Sequence, residues 1–281
     1  MDIKTEIEEY NRANGHFGLI RNPDEMKTFA AANPFTLPEA DFPPVDYATL
    51  PESAGVANWM QVENQASVGS CQGHAKTSAE ELAIYRATGS IVQLNRGFSY
   101  YTSQKIDGIR GDNGSTISGG CEASRKYGTC LESLAPYTGR YVTQFSQACY
   151  DDALTRRLTA FQKLPNYDAV MRWLYYGIGG IVIGINWDNG QEGDANGCVT
   201  SYRASGGGHA LALLDWSTRF KDTKGRPYID RFNSWGKNYG YKGRNFILTS
   251  VVDEWCATED VYGYCNLNGA GVYPAKIDWK I

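Results

Sequence analysis

Residues 64 to 75 read N-Q-A-S-V-G-S-C-Q-G-H-A. The Gly69-Ser70 pair ends a loop, and small or helix-compatible residues follow. Ala75, Ala79, Leu82, Ala83 and Tyr85-Arg86 then continue towards Gly89. That spacing predicts a buried helix from Ser70 to about Ala87, stopped by Gly89. Cys71 therefore stands where loop becomes helix. The unpaired amides and the dipole of a helix start favour a thiolate, the reactive form of cysteine. Gln65 lies six positions earlier, with an amide that can donate to a developing negative charge.

A thiolate that attacks an amide needs a partner that later protonates the leaving amine, and histidine suits that task. The chain has three histidines, His16, His74 and His209. His209 follows Gly206-Gly207-Gly208 and opens the apolar run HALALLDW, 209 to 216. A later run, YIDRFNSW (228 to 235), ends in Asn233-Ser234-Trp235 and is followed by Gly236. An Asn side-chain carbonyl can accept the second imidazole N–H and fix the ring tautomer. Trp235 can shield that bond from water.

Around these anchors, SGGCEASRKY (118 to 127) and DAVMRWLYY (168 to 176) predict helices stopped by Gly128 and Gly177. GIVIGINW (180 to 187), the runs at 209 to 216 and 228 to 235, and 245 to 248 predict strands. Helices in the first half and strands in the second predict an α+β fold of two lobes with a cleft between them. Residues 4 to 12 predict a short polar helix. Residues 33 to 52, with five prolines, predict an extended wrapping segment.

The chain has 281 residues, 42% hydrophobic and 21% charged, which suits one large domain with a sizeable core. Net charge is −4 and no basic stripe is visible, so nucleic acid and anionic membranes are poor partners. The start, MDIKTEIEEYNRANGHFG, has no signal-peptide core, and the run at 177 to 185 is too short to span a bilayer. A cytoplasmic or virion-associated protein is expected over a Sec-secreted one. The seven cysteines are an odd count. No metal or cofactor is implied.

NQ-x-S-x-GSC, GGGHALALL and NSWG, in that order, resemble the papain family of cysteine peptidases. The resemblance covers roughly residues 45 to 265. It implies a helical left lobe (about 60–165) and an antiparallel, barrel-like β lobe (about 166–265) within a peptidase domain spanning 45–281. It makes Cys71 the nucleophile, His209 the base and acid, Asn233 the orienter, Gln65 the oxyanion donor and Trp235 the shield. Asp112 to Ser115 resembles the family's cleft wall. Gly114 and Ser115 would then pair with substrate backbone, and Thr116 and Ile117 would edge a side-chain pocket. The implied function is an endopeptidase acting on polypeptides through a thioester. Residues 1–44 become an N-terminal extension, either an inhibitory segment or an arm that docks an assembly partner.

The sequence departs from the family in places. Gln72 replaces the usual aromatic, and Gly73-His74 replaces a small residue and Phe. Gly73 costs the helix ~1 kcal/mol relative to Ala. Val68 and Asp112 stand where the family carries a disulfide, so both ends are lost together. Cys198 and Cys256 stand roughly where another family bridge would fall. His74, three residues after Cys71, could line the cleft, perturb the thiolate, or face the core with its polar atoms paired. An acidic, bridge-poor version points to a bacterial or bacteriophage setting. Two other readings stay open. One is a catalytically weak or inactive structural or binding protein of the same fold. The other is a cysteine amidase acting on a non-protein amide such as a cell-wall crosslink.

Overall fold

The computed structural model describes residues 17–32, 42–158 and 160–265. The polar helix expected at 4 to 12, part of the proline-rich segment (33–41) and the last residues, 266–281, lie outside the described residues. Helix α1 (Pro23–Ala32) precedes the central helix α2 (Cys71–Thr88), which ends on Gly89 in the left-handed region at φ 73°. Helices α3 (Arg96–Asp107), α4 (Ile117–Lys126) and α5 (Gln147–Ala153) complete the helical part.

Helix α3 was not legible from periodicity. Its buried face includes Ser99, which accepts from Lys76, and Thr102 and Ser103, whose hydroxyls bond back to carbonyls one turn earlier. Polar residues satisfied in this way carry no hydrophobic stripe. Helix α2 is buried almost all round, with its charges paired inside. Lys76 bonds Thr129 at 2.8 Å and pairs with Glu80 at 3.1 Å, while Arg96 grips both oxygens of Glu81 at 2.7 and 3.0 Å. Gly73 is where α2 meets α3. A Cβ there would lie 2.9 Å from the Tyr100 backbone nitrogen, so the glycine that weakens the helix permits its close packing.

The sheet contains β1 (Ala160–Lys163), β2 (Ile181–Asn186), β3 (Cys198–Val199), β4 (Gly208–Lys221), β5 (Pro227–Phe232), β6 (Arg244–Ile247) and β7 (Asp260–Cys265). Its order is β1-β7-β2-β4-β5-β6-β3, antiparallel except for the β3–β6 pair. The sheet thus begins at Ala160, before the expected lobe boundary at 166. Helices α6 (Tyr167–Tyr175) and α7 (Thr249–Thr258) lie within the β half of the chain. α7 and β7 escaped the sequence reading.

Both faces of the sheet are covered, which explains the continuous apolar runs. Ile181, Ile183, Ile185, Leu211 and Leu213 belong to a core with Trp173, Trp216 and Trp255. The alternating Val182, Ala210, Ala212 and Leu214 face a second core with Cys71, Ala75, Ala79 and Leu82 of α2. The small residues on that face let helix and sheet approach closely. A Cβ on Gly180 would sit 2.4 Å from the Ala79 Cα. Gly180→Ala is therefore expected to cost ~1–3 kcal/mol through overpacking. The check is a lowered urea midpoint at unchanged slope; an unchanged midpoint would show that this contact can relax.

Candidate active site

Cys71 opens α2 and is fully buried. The Ala210 and Gly18 amides, with its own and that of Gln72, bond its sulfur and favour the thiolate. Burial outweighs all four and pushes the thiol up to about 11. The thiolate expected from the helix start is therefore not favoured in this closed arrangement.

His209 stands on β4 opposite Ile185 of β2. Its Nε2 lies 2.9 Å from Asn233 Oδ1, just beyond the end of β5. Asn233 Oδ1 also accepts from the Ser234 amide at 2.8 Å. An amide oxygen only accepts, so Nε2 carries a hydrogen. Trp235 stacks on the imidazole, centroids 4.6 Å apart and planes 24° from parallel. Trp187 meets the same ring edge-on at 5.2 Å and Trp235 at 4.7 Å. In the sequence Trp187 only ends the apolar run 180 to 187, and its aromatic character there is the one local signal of this role.

Gln65 is buried and binds both halves together. Its backbone N–H donates to Ser234 O at 2.8 Å, and its Oε1 accepts from Ser234 Oγ at 2.6 Å. Asn64 forms an antiparallel bridge with Trp235, and the Gly236 amide reaches Glu63 O at 2.9 Å. The Gln65 amide nitrogen donates to Val68 O at 2.8 Å. Residues 63–65 are thus stitched to 234–236, which sets Gln65 beside the His209–Asn233 pair.

The segment Phe17 to Ile20 runs through the cleft. Leu19 N bonds Gly208 O at 3.1 Å on the β4 side. Ser115 N bonds Gly18 O at 2.9 Å, and Ile20 N bonds Ser115 O at 3.0 Å, on the wall side. Leu19 and Ser115 form a parallel bridge. The approach is tight on every side. A Cβ would meet backbone oxygen at 1.9 Å on Gly18, 2.2 Å on Gly114 and 2.2 Å on Gly208. Gly114 also holds φ 82°, where a side chain is strained. Phe17 meets the His209 ring edge-on at 5.8 Å. The Leu19 and Ile117 side chains both crowd over Gly184.

Of the four wall residues singled out in the sequence, Gly114 and Ser115 touch this segment by backbone and Ile117 by side chain. Thr116 is committed elsewhere. Its hydroxyl accepts from the Gly119 amide and donates to Asp107, capping α4. Where the family's bridge would lie, Asp112 Oδ1 instead accepts from the Gly69 amide at 3.0 Å and Tyr100 OH at 2.9 Å. Gln72 accepts from Ser115 Oγ at 3.0 Å, tying the residue after Cys71 to the wall. All seven cysteines are free thiols, so Cys198 and Cys256 are not bridged. Cys198 lies on β3 and Cys256 on α7. Among the described residues, no group of three or more His, Cys, Asp or Glu could hold a metal ion. No helix among them is long and apolar enough to cross a membrane.

The family model for papain family cysteine proteases matches residues 50–265. Among solved structures the chain is similar to xylellain, a cysteine protease from Xylella fastidiosa. Identity is 22% and the TM-score 0.66, over 90% of this chain and 97% of that one. It is similar to procathepsin B from Trypanosoma congolense, at 17% identity and TM-score 0.63, over 90% and 87% of the two chains. It is also similar to bromelain from Ananas comosus in complex with the E64 inhibitor, at 17% identity and TM-score 0.62, over 77% and 100%. Curated protein sequences give no match. With the family model spanning the Cys71 helix, the His209 strand and Asn233, this chain belongs to the papain family of cysteine proteases and is a cysteine-type peptidase.

Proposed function

We propose that this peptidase hydrolyses peptide bonds through Cys71, His209, Asn233 and Gln65, and that residues 17–20 hold it closed. The observation that carries the reading is the His209 Nε2–Asn233 Oδ1 bond under Trp235, with Cys71 bonded to the amide next to His209. With Nε2–H held by Asn233, the proton that moves in the reaction is carried by Nδ1. The Cys71 thiolate attacks the substrate carbonyl carbon, and the oxyanion takes the Cys71 amide and a Gln65 amide N–H. His209 gives its Nδ1 proton to the leaving amine as the C–N bond breaks, leaving a thioester. Water then adds, its proton passes to His209, and the thiolate departs from the released acid.

The inhibitory reading of the extension is favoured over a docking arm because residues 18–20 bond both walls of the cleft and the Gly18 amide bonds the Cys71 sulfur. Leu19 against Ile117 marks an apolar side-chain pocket, so cleavage after sequences carrying a leucine-like residue is expected. Gln65→Ala is expected to lower turnover ~10²–10³-fold once the cleft is open. Casein and crosslinked peptidoglycan serve as rival substrates. Cleavage of casein that falls with Gln65→Ala supports the peptidase reading; release from peptidoglycan alone would replace it with the amidase.

A further inference from the structure

Two of the seven thiols meet in the helical part. Cys130 and Cys149 are 0% and 1% exposed and share a small core with Phe98 and Ala153. A hydrogen bond links the two thiols. Contacts outside their own side chains fix the approach. Asp152, three residues beyond Cys149 on α5, accepts from the Leu131 amide, next to Cys130, at 2.8 Å. A Cβ on Gly128 would lie 2.0 Å from the Ala153 carbonyl oxygen, so the segment before Cys130 also lies against the end of α5. On its other side Cys130 is held by the Asn95 amide, which donates to its carbonyl at 2.8 Å. A bond between the sulfurs therefore asks for little backbone movement.

We propose that Cys130 and Cys149 form a disulfide when the chain meets a small disulfide such as oxidised glutathione, closing residues 130–149 into a ring. The thiolate of one cysteine attacks a glutathione sulfur, which gives a mixed disulfide and releases one glutathione. The second thiolate attacks the protein sulfur of that mixed disulfide, and the second glutathione leaves. Two protein thiols are oxidised, one glutathione disulfide is reduced to two thiols, and the two protein protons pass to them. Burial, with the adjoining Cys149 and Asp152, pushes the Cys130 thiol up. Exchange therefore waits on local opening of α5 and is fastest while the chain folds.

The ring would brace the site from outside. Tyr137, inside it, donates to Gln65 O at 2.9 Å, and its hydroxyl lies 3.2 Å from Ser70 Oγ. Tyr141, also inside it, donates to Gln104 Oε1 at 2.9 Å, and Gln104 donates to Gly114 O at 2.9 Å. The ring thus leans on the loop before Cys71 and, through Gln104, on the cleft wall. Only this consequence rests on the catalytic reading proposed above; the bridge itself does not.

The test uses the full chain carrying Cys71→Ser, which takes the candidate nucleophile out of the count. It is refolded from urea in oxidised and reduced glutathione, and the remaining thiols are blocked with N-ethylmaleimide. Trypsin should then release residues 127–140 joined to 141–156, lighter than the two separate peptides by two hydrogens. A ring of this length is expected to raise the melting temperature by about 5–10 °C. The gain should be absent without oxidant and absent when Cys130→Ser is added. Blocked thiols at both positions, a link between other cysteines in place of this one, or a bridge that leaves the melting temperature unchanged would overturn the proposal. Should Cys130→Ser fail to fold, Cys149→Ala and the peptide map of the Cys71→Ser chain still decide it.

Discussion

Gly18→Glu is expected to raise casein cleavage on the order of 10²-fold over the parent chain. The site of this substitution allows no side chain, because a Cβ would already lie 1.9 Å from the Gly69 carbonyl oxygen. The segment must then leave the cleft, and Phe17 and Leu19 leave with it. Burying those two side chains contributes roughly 1.5–3 kcal/mol each, and ordering four residues of backbone costs roughly 1–2 kcal/mol each. Hydrogen bonds to Gly208 and Ser115 add to the favourable side. A closed state favoured by about 3 kcal/mol leaves on the order of 1% of molecules open, which sets the size of the gain. Opening also exposes Cys71, removing the burial that raises its thiol and leaving the helix-start amides to act. A chain lacking residues 1–22 should match Gly18→Glu. If both variants cleave no faster than the parent, the segment is a structural strap and not an inhibitor.

The larger effect lies at the nucleophile. In the Gly18→Glu background, Cys71→Ala is expected to reduce turnover on the order of 10⁵–10⁶-fold, and His209→Ala comparably. The double variant should lose little more, because sulfur and imidazole act as one unit and either loss disables it. Initial rates on a fluorogenic peptide with leucine in the apolar position measure this. Additive losses, or a Cys71→Ala variant that retains turnover, would place the chemistry elsewhere. His74→Ala abolishing activity while His209→Ala does not would exchange the two histidines in the account.

Much of this arrangement could be read from residue order. The helix from Cys71, the strand at 181–186, the first part of the strand at 208–221 and the glycine stops at 89, 128 and 177 follow from local signals that tertiary contacts reinforce. Helix α3 could not be read so, because its buried face carries polar residues, Arg96, Ser99, Thr102, Ser103 and Gln104, satisfied by the backbone or by buried partners. Strand β7 pairs with β1 and β2, which lie about a hundred and about eighty residues earlier in the chain, and no local pattern announces that pairing. Asp112 could be seen to replace a half-cystine, but its bonds to Gly69 and Tyr100 depend on how the wall folds back on α2. The passage of Gly18 between Gly114 and Gly208 had a trace in the sequence, three glycines far apart, and only packing joins them.

The most direct measurement is intact-mass analysis after treatment with a thiol-directed epoxide, followed by peptide mapping. The Gly18→Glu chain should gain one adduct, on Cys71, quickly. The parent should gain it on the order of 10²-fold more slowly, and Cys71→Ser should gain none. An adduct on another of the seven cysteines, or equal labelling of the closed and opened chains, would contradict a buried Cys71 nucleophile held shut by its own N-terminal segment.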